Sequence, residues 1–119
     1  MADENKIDYE KELKDANYEV VVKSLWGNLK TFDDLCFLVE GYLGLDNITD
    51  AEFILDVWQP GLNGSKEWAR WCVLMGRVLR KKGHLGPAMN AFKYALNFVE
   101  NKNYTDLEAL IRSEITKTR

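Results

Sequence analysis

Apolar residues recur every three or four positions along most of the chain, which is the spacing of one face of an α-helix. In the segment 18–30 this spacing outweighs Val20-Val21-Val22, which alone favours a strand because its side chains branch at Cβ. No part of the chain requires strand pairing. The pattern predicts an all-α protein with helices near 18–30, 32–45, 50–59, 66–82, 87–101 and 106–117.

Capping and turn residues set the predicted ends of these helices. Three threonines are each followed three residues later by an acid, so the hydroxyl caps the helix and the acid bonds back to the cap: Thr31, Thr49 and Thr105. Pro87 suits the first helical position, where its missing N–H costs nothing. Gly64 and Gly83 are typical helix terminators.

The connections between these helices are short, so neighbouring helices are expected to pack antiparallel. Residues 1–17 are mostly charged and are expected to form a flexible tail or a solvated first helix. Residues 18–119 then form a single helical domain, a length sufficient to bury one core. A hydrophobic content of 46% and an aromatic content of 12% exclude a disordered chain.

One stretch carries a repeat signal: EWARWCVLMGRVLRKKGHLGPAMNAFKYALNFVENKN, beginning at Glu67. Its first predicted helix contains Gly76, its turn contains Gly83, and its second helix contains Ala88, Phe92 and Ala95. This order of residues resembles one tetratricopeptide repeat. The resemblance implies that Gly76 and Ala88 let the two helices of a hairpin approach closely, that Phe92 fills the space between hairpins, and that Ala95 lets the next hairpin stack. Cys72 and Glu100 depart from the family, which usually has a large aromatic and a proline there.

The resemblance implies a short array of stacked hairpins with about six helices. Residues 31–60 form a weaker copy, because Gly41 precedes Gly76 by 35 residues and Ala51 precedes Ala88 by 37. Helix 106–117 would then cover the open edge of the last hairpin. A simple helical bundle without repeat geometry is the alternative.

In this family the first helix of each hairpin lines a concave groove. The resemblance places the groove positions of helix 66–82 at Arg70, Val73, Arg77, Arg80 and Lys81. Helical spacing independently puts Arg70, Arg77 and Lys81 on one face. We call Arg70, Arg77, Arg80 and Lys81 the basic stripe, and we expect it to bind an acidic segment because arginine suits carboxylates.

Two alternatives for the basic stripe stay open at this point. Residues 1–60 contain 5 Lys/Arg and 14 Asp/Glu, whereas residues 61–119 contain 11 and 5, so the acidic half could neutralise the stripe internally. The stripe could also be a solvated helix face. In the earlier hairpin, alignment of Gly41 with Gly76 gives groove positions that are mostly apolar: Leu35, Leu38, Tyr42, Leu45 and Asp46. Either helix 18–30 or a partner covers them, and we expect helix 18–30.

Residues for catalysis or cofactor binding are not assembled by the sequence. His84 is the only histidine and lies in a predicted turn, and Asp46 to Asp50 lacks the glycine of a calcium loop. Cys36 and Cys72 lie in apolar stretches as small core residues, typical of a reducing cytoplasm. We therefore predict no catalytic residue, cofactor or metal, and no membrane segment.

The predicted function is a non-enzymatic adaptor or chaperone-like subunit that binds a peptide or helix of a protein partner. A self-assembling subunit, such as a homodimer, is one alternative, because isolated repeats cannot bury their faces alone. Nucleic-acid binding through the basic run 77–84 is the weaker alternative, since the acidic half would repel phosphates. Heparin retention at low salt separates it from the others.

Overall fold

A computed structural model describes residues 7–60 and 65–119. Within these residues the protein is all-α, as the pattern predicted, and contains seven helices rather than six. The additional helix lies in the segment 1–17. The helices are α1 (Tyr9–Lys14), α2 (Tyr18–Leu25), α3 (Phe32–Gly44), α4 (Ile48–Val57), α5 (Lys66–Lys81), α6 (Leu85–Val99) and α7 (Thr105–Thr118).

Three of the connections use one and the same turn. Ala16, Asp46 and Gly83 follow α1, α3 and α5 at the same position and have φ values of 59°, 60° and 85°. In each turn the N–H group of this residue and that of the residue after it donate to carbonyl oxygens in the last turn of the helix, as in a Schellman motif. The pairs α1–α2, α3–α4 and α5–α6 are therefore three copies of one hairpin, and Asp46 and Gly83 are 37 residues apart.

The observed helix ends correct several predicted starts. The capping box at Thr31 is confirmed, with Thr31 Oγ1 and the Asp34 carboxylate exchanging bonds with backbone N–H groups. Thr49 is not a cap, because Asn47 accepts from Asp50 N–H and starts α4 two residues earlier. α6 likewise begins at Leu85, which puts Pro87 in its first turn. Gly64 lies outside the described residues.

Two further ends also differ from the predicted ones. α7 begins at Thr105 after Tyr104, so Thr105 lies inside the helix rather than before it. α2 stops at Leu25 instead of continuing to residue 30, because Gly27 has a φ of 77° and turns the chain toward α3. Local capping chemistry moves a helix end by a few residues without changing the face that it buries.

Odd-numbered and even-numbered helices form two layers. Each helix contacts the next along the chain, and α1, α3, α5 and α7 also contact one another in succession. No two even-numbered helices are in contact in the described parts of the chain. The odd-numbered helices therefore lie closer together, and the array curves with these helices on its inner side.

Two apolar clusters run through the array. The first joins α2, α3 and α4 through residues such as Val21, Leu35 and Leu55, and the second joins α5, α6 and α7 around Phe92 and Ile111. Trp71 packs against both clusters, and its indole N–H donates to the carbonyl oxygen of Leu55 at 2.9 Å. The described part of the chain therefore packs as one continuous body.

Gly41 and Gly76 have different neighbours, which corrects their pairing as repeat equivalents. A Cβ on Gly41 would face α2, at 3.0 Å from Val22, whereas one on Gly76 would face α6, at 2.6 Å from Phe92. The role predicted for Gly76, close packing within its own hairpin, is confirmed. Ala51 and Ala88, 37 residues apart and both fully buried, are the equivalent pair.

Replacing Gly76 by alanine is expected to lower the free energy of unfolding by about 1–3 kcal/mol. The new methyl would overlap the Phe92 ring, which outweighs the gain in helix propensity of about 1 kcal/mol. Urea unfolding followed by tryptophan fluorescence measures the change. Gly86→Ala in α6 is the matched control, since a Cβ there meets nothing within 4 Å. An equal effect of the two substitutions would contradict the packing argument.

Candidate protein-binding face on the odd-numbered helices

Residues spaced by 37 positions lie side by side on α3, α5 and α7. Arg70 bonds to Asp33 at 2.8 Å and Arg77 bonds to Glu40 at 2.9 Å, and both pairs are separated by 37 residues. Three rows, which together we call the inner face, cross these helices: Asp33, Arg70 and Leu107; Cys36, Val73 and Leu110; and Glu40, Arg77 and Glu114.

Arg77 connects all three helices of the inner face. Its Nη1 donates to Glu40 of α3, and its Nε lies 3.3 Å from Glu114 Oε2 of α7. The side chain of Glu114 is only 4% exposed, and the cost of burying its carboxylate is offset by nearby cations. Arg80 Nη2 lies 3.0 Å from Glu114 Oε1 and forms an ion pair with it, but the angle between the two groups is not that of a hydrogen bond.

Arg80 also binds the backbone end of α7. Its Nη1 donates to the Glu114 carbonyl oxygen and to Thr118 Oγ1, at 3.4 and 3.2 Å. The guanidinium lies 5.6 Å from the Phe92 ring centroid, which adds a cation–π contact. Arg80 is thereby positioned by α6 and α7 together.

The predicted site residues thus lie on one face, but most of their charges have partners in the chain. Arg70, Arg77 and Arg80 are each paired with an acid, and Val73 is buried as the floor of the central row. Lys81 has the longest of these ion pairs, with Asp46 Oδ1 at 4.0 Å, and its side chain is 52% exposed. Neutralisation by the acidic half, one of the alternatives from the sequence, accounts for Arg70 and Arg77, whereas Arg80 is paired with Glu114 of the second half.

Two depressions open on this side of the molecule. A small one of about 110 Å³ lies over Cys36, Val73 and Leu110, between the charged rows. A larger one of about 410 Å³, which we call the basic cleft, contains Arg77, Arg80 and Lys81 but only one carboxylate, Glu40. Its remaining lining comes from α1, the start of α2 and the end of α3.

The groove positions inferred for the earlier hairpin were wrong by two residues. Leu35, Leu38 and Tyr42 are buried in the first cluster together with Val21 and Leu25 of α2. Leu45 and Asp46 lie in the turn after α3. The offset of 35 residues should be 37, and two residues rotate a helix position by about 200°. The correct offset is visible in the sequence, because two pairs of opposite charge are each separated by 37 residues: Asp33 with Arg70, and Glu40 with Arg77.

The basic run 77–84 is also engaged within the chain. Arg77, Arg80 and Lys81 have the partners described above, and Lys82 Nζ binds both carboxylate oxygens of Glu52 at 3.0 Å. His84 is exposed in the turn before α6. This arrangement leaves Lys81 as the least neutralised cation of the run.

Cys36 and Cys72 are buried free thiols, which confirms their prediction as core residues. Burial disfavours the thiolate and raises the pKa of Cys36 to about 12 and that of Cys72 to about 11. Among the described residues, no group of three or more histidine, cysteine or acidic side chains is arranged for a metal ion. None of the described helices is both long and apolar enough to cross a membrane.

No family model matches the chain, and neither the curated proteins nor the solved structures include a match. The case for its function therefore depends on its own residues.

Glu114→Gln is expected to lower the free energy of unfolding by about 2 kcal/mol, because it leaves Arg77 and Arg80 short of a carboxylate. The effect is smaller than for a fully buried pair because the arginines are partly exposed. Urea unfolding again provides the measurement. Glu108→Gln removes an exposed pair with Arg112 in the same helix and should cost below about 0.5 kcal/mol. Equal losses would rule out the special role of Glu114.

Both cysteines are expected to be nearly inert toward a chromogenic disulfide reagent at pH 8. A raised pKa leaves the thiol protonated, with a thiolate fraction of about one in a thousand or less, and the thiolate is the reactive form. Unfolding in urea should release both thiols at the rate of a model peptide. Reaction of the native protein at a comparable rate would show that the thiols are accessible and ionised.

Proposed function

We propose that the chain is a non-enzymatic protein-binding module that holds an acidic segment of a partner in the basic cleft. The observation that supports this function is the lining of an opening of about 410 Å³, where Arg77, Arg80 and Lys81 come together and Glu40 is the acidic lining residue. Arg77 and Arg80 are held in place by α7, so little side-chain freedom is lost on binding. Lys81 supplies the exposed charge.

The arrangement favours a carboxylate over a metal or a small-molecule substrate. Lys81 presents an exposed ammonium beside the guanidinium groups of Arg77 and Arg80, and hydrogen bonds from a cation to a carboxylate are stronger than neutral ones. The apolar row of Cys36, Val73 and Leu110 is part of the same inner face and offers apolar contact area beside the basic side chains. A segment with one or two acids next to an apolar side chain matches both features.

We further propose that the array is of the tetratricopeptide type and serves as an adaptor or chaperone-like subunit in the cytoplasm. Supporting this are three hairpins with the same turn, a 37-residue register between the second and third hairpins, and the inner layer of odd-numbered helices. Two buried free thiols are compatible with a reducing compartment. The groove-lining role of the first helix of each hairpin is part of this proposal.

Lys81→Glu is expected to weaken binding of a fluorescein-labelled acidic decapeptide at least tenfold. The substitution places a carboxylate at the exposed mouth of the basic cleft, and like charges repel the probe. Fluorescence anisotropy at low and at physiological salt measures the affinity. The peptide is assayed beside a counterpart with lysine in place of every acid.

Lys93→Glu is the matched control, because Lys93 is an exposed lysine of α6 outside the cleft. It changes the net charge equally and should alter affinity less than twofold. Equal weakening by both variants would assign the effect to overall charge. Absence of binding by the unaltered protein, or equal binding of the lysine peptide, would reject the proposed function.

A further inference from the structure

Large exposed apolar side chains are concentrated on the outer layer, away from the inner face. Of those that lie within helices of the described residues, all but Leu110 belong to even-numbered helices: Val20 of α2, Phe53 and Val57 of α4, and Leu85 and Tyr94 of α6. The internal ion pairs and the basic cleft use none of them. The outer layer therefore has a surface feature that the proposed function leaves unexplained.

Phe53 and Val57 form the most exposed apolar pair on a single helix. Their exposed fractions are 64% and 59%, and they lie four residues apart on the same face of α4. On the opposite face Ala51 and Leu55 are fully buried, so the orientation of α4 is set by the core. Phe53 and Val57 are consequently held outward by a rigid helix.

Carboxylates flank this apolar pair on both sides. Helical geometry puts Asp50 and Asp56 about 60° to either side of Phe53. α4 contains no basic residue, and Asp56 is exposed and has no ion pair within the described residues. Asp50 accepts a bond from the neutral Asn47 side chain and likewise has no ion pair within the described residues. We call Asp50, Phe53, Asp56 and Val57 the outer α4 face.

We propose that the outer α4 face is a second docking site, which takes an amphipathic basic segment of another protein. Apolar side chains of this segment would cover Phe53 and Val57, and lysines or arginines on both sides would meet Asp50 and Asp56. An apolar centre with a charged rim is the usual arrangement of a protein interface. Aromatic side chains such as Phe53 contribute large contact areas.

Charge complementarity selects this partner over a second copy of the chain. The basic half is largely occupied, since Arg70, Arg77, Arg80 and Lys82 each hold an acid of their own chain. The acidic half retains an excess of carboxylates, and the whole chain has a net charge of −3. A cationic partner therefore gains attraction that a second copy does not provide.

The test uses two synthetic helical peptides of 14 residues, each with leucines four residues apart. One has lysines on both sides of the leucines, and the other has glutamates in the same positions. The lysine peptide should bind with a Kd on the order of 10–100 μM, as expected for a small interface, and the glutamate peptide should bind at least tenfold more weakly. Isothermal titration calorimetry measures both affinities.

Variants then locate the binding site. Phe53→Ser and Asp56→Lys should each weaken the lysine peptide at least tenfold, whereas Tyr94→Ser on the outer side of α6 should change affinity less than twofold. Lys81→Glu should also leave this peptide bound, so the outer α4 face and the basic cleft can succeed or fail separately. Far-ultraviolet circular dichroism verifies the fold of each variant.

Three outcomes would overturn the proposal. These are equal binding of the two peptides, retention of affinity in Phe53→Ser, and equal losses in Phe53→Ser and Tyr94→Ser. Analytical ultracentrifugation tests whether the face instead binds a second copy of the chain. A dimer of the unaltered chain that dissociates in Phe53→Ser would be a fourth contradicting outcome and would assign the face to a second copy.

Discussion

The guanidinium of Arg77 lies between carboxylates from two other helices, Glu40 of α3 and Glu114 of α7. Each of these residues is separated from the next by 37 positions, which is also the distance between the turn residues Asp46 and Gly83. A buried acid such as Glu114 is costly unless its cations are in place. This contact therefore holds α3, α5 and α7 in one register, and a shift by a single residue would leave Glu114 without its partners.

The same contact separates two kinds of surface. On the inner side, acidic and basic residues of the chain satisfy one another, so the inner face is polar but close to neutral except near Lys81. On the outer side, Phe53 and Val57 are exposed between unpaired carboxylates. The two proposed partners, one acidic and one basic, are therefore assigned to different sites. Neither site requires the array to open, because the buried residues of α5 and α7 remain in place.

Much of the fold was readable from the sequence because helical periodicity reports which residues are buried. The bounds of α5 and the terminator Gly83 were predicted to within a residue. The turn at Ala16 was missed, and Asp46 lay in the predicted connection 46–49 without being identified as its turn residue, because both adopt positive φ without being glycine. The position of Arg77 on the inner face was predicted, but its partners were not identified, although Glu40 and Arg77 have opposite charges at a spacing of 37 residues. The partners depend on the lengths of two connections, and an error of two residues rotates Glu40 out of the face.

The order of the odd-numbered helices places helices of opposite charge side by side. α3 carries three acids and no base, α5 carries five bases and one acid, and α7 carries three acids and two bases. A basic helix between two acidic neighbours is attracted from both sides, whereas three helices of one sign would repel. The excess of bases in α5 is thus largely a requirement of stacking. Evidence of a ligand has to come from the cation that is paired most weakly, and within the described residues of the basic stripe that cation is Lys81, whose ion pair with Asp46 is long and exposed.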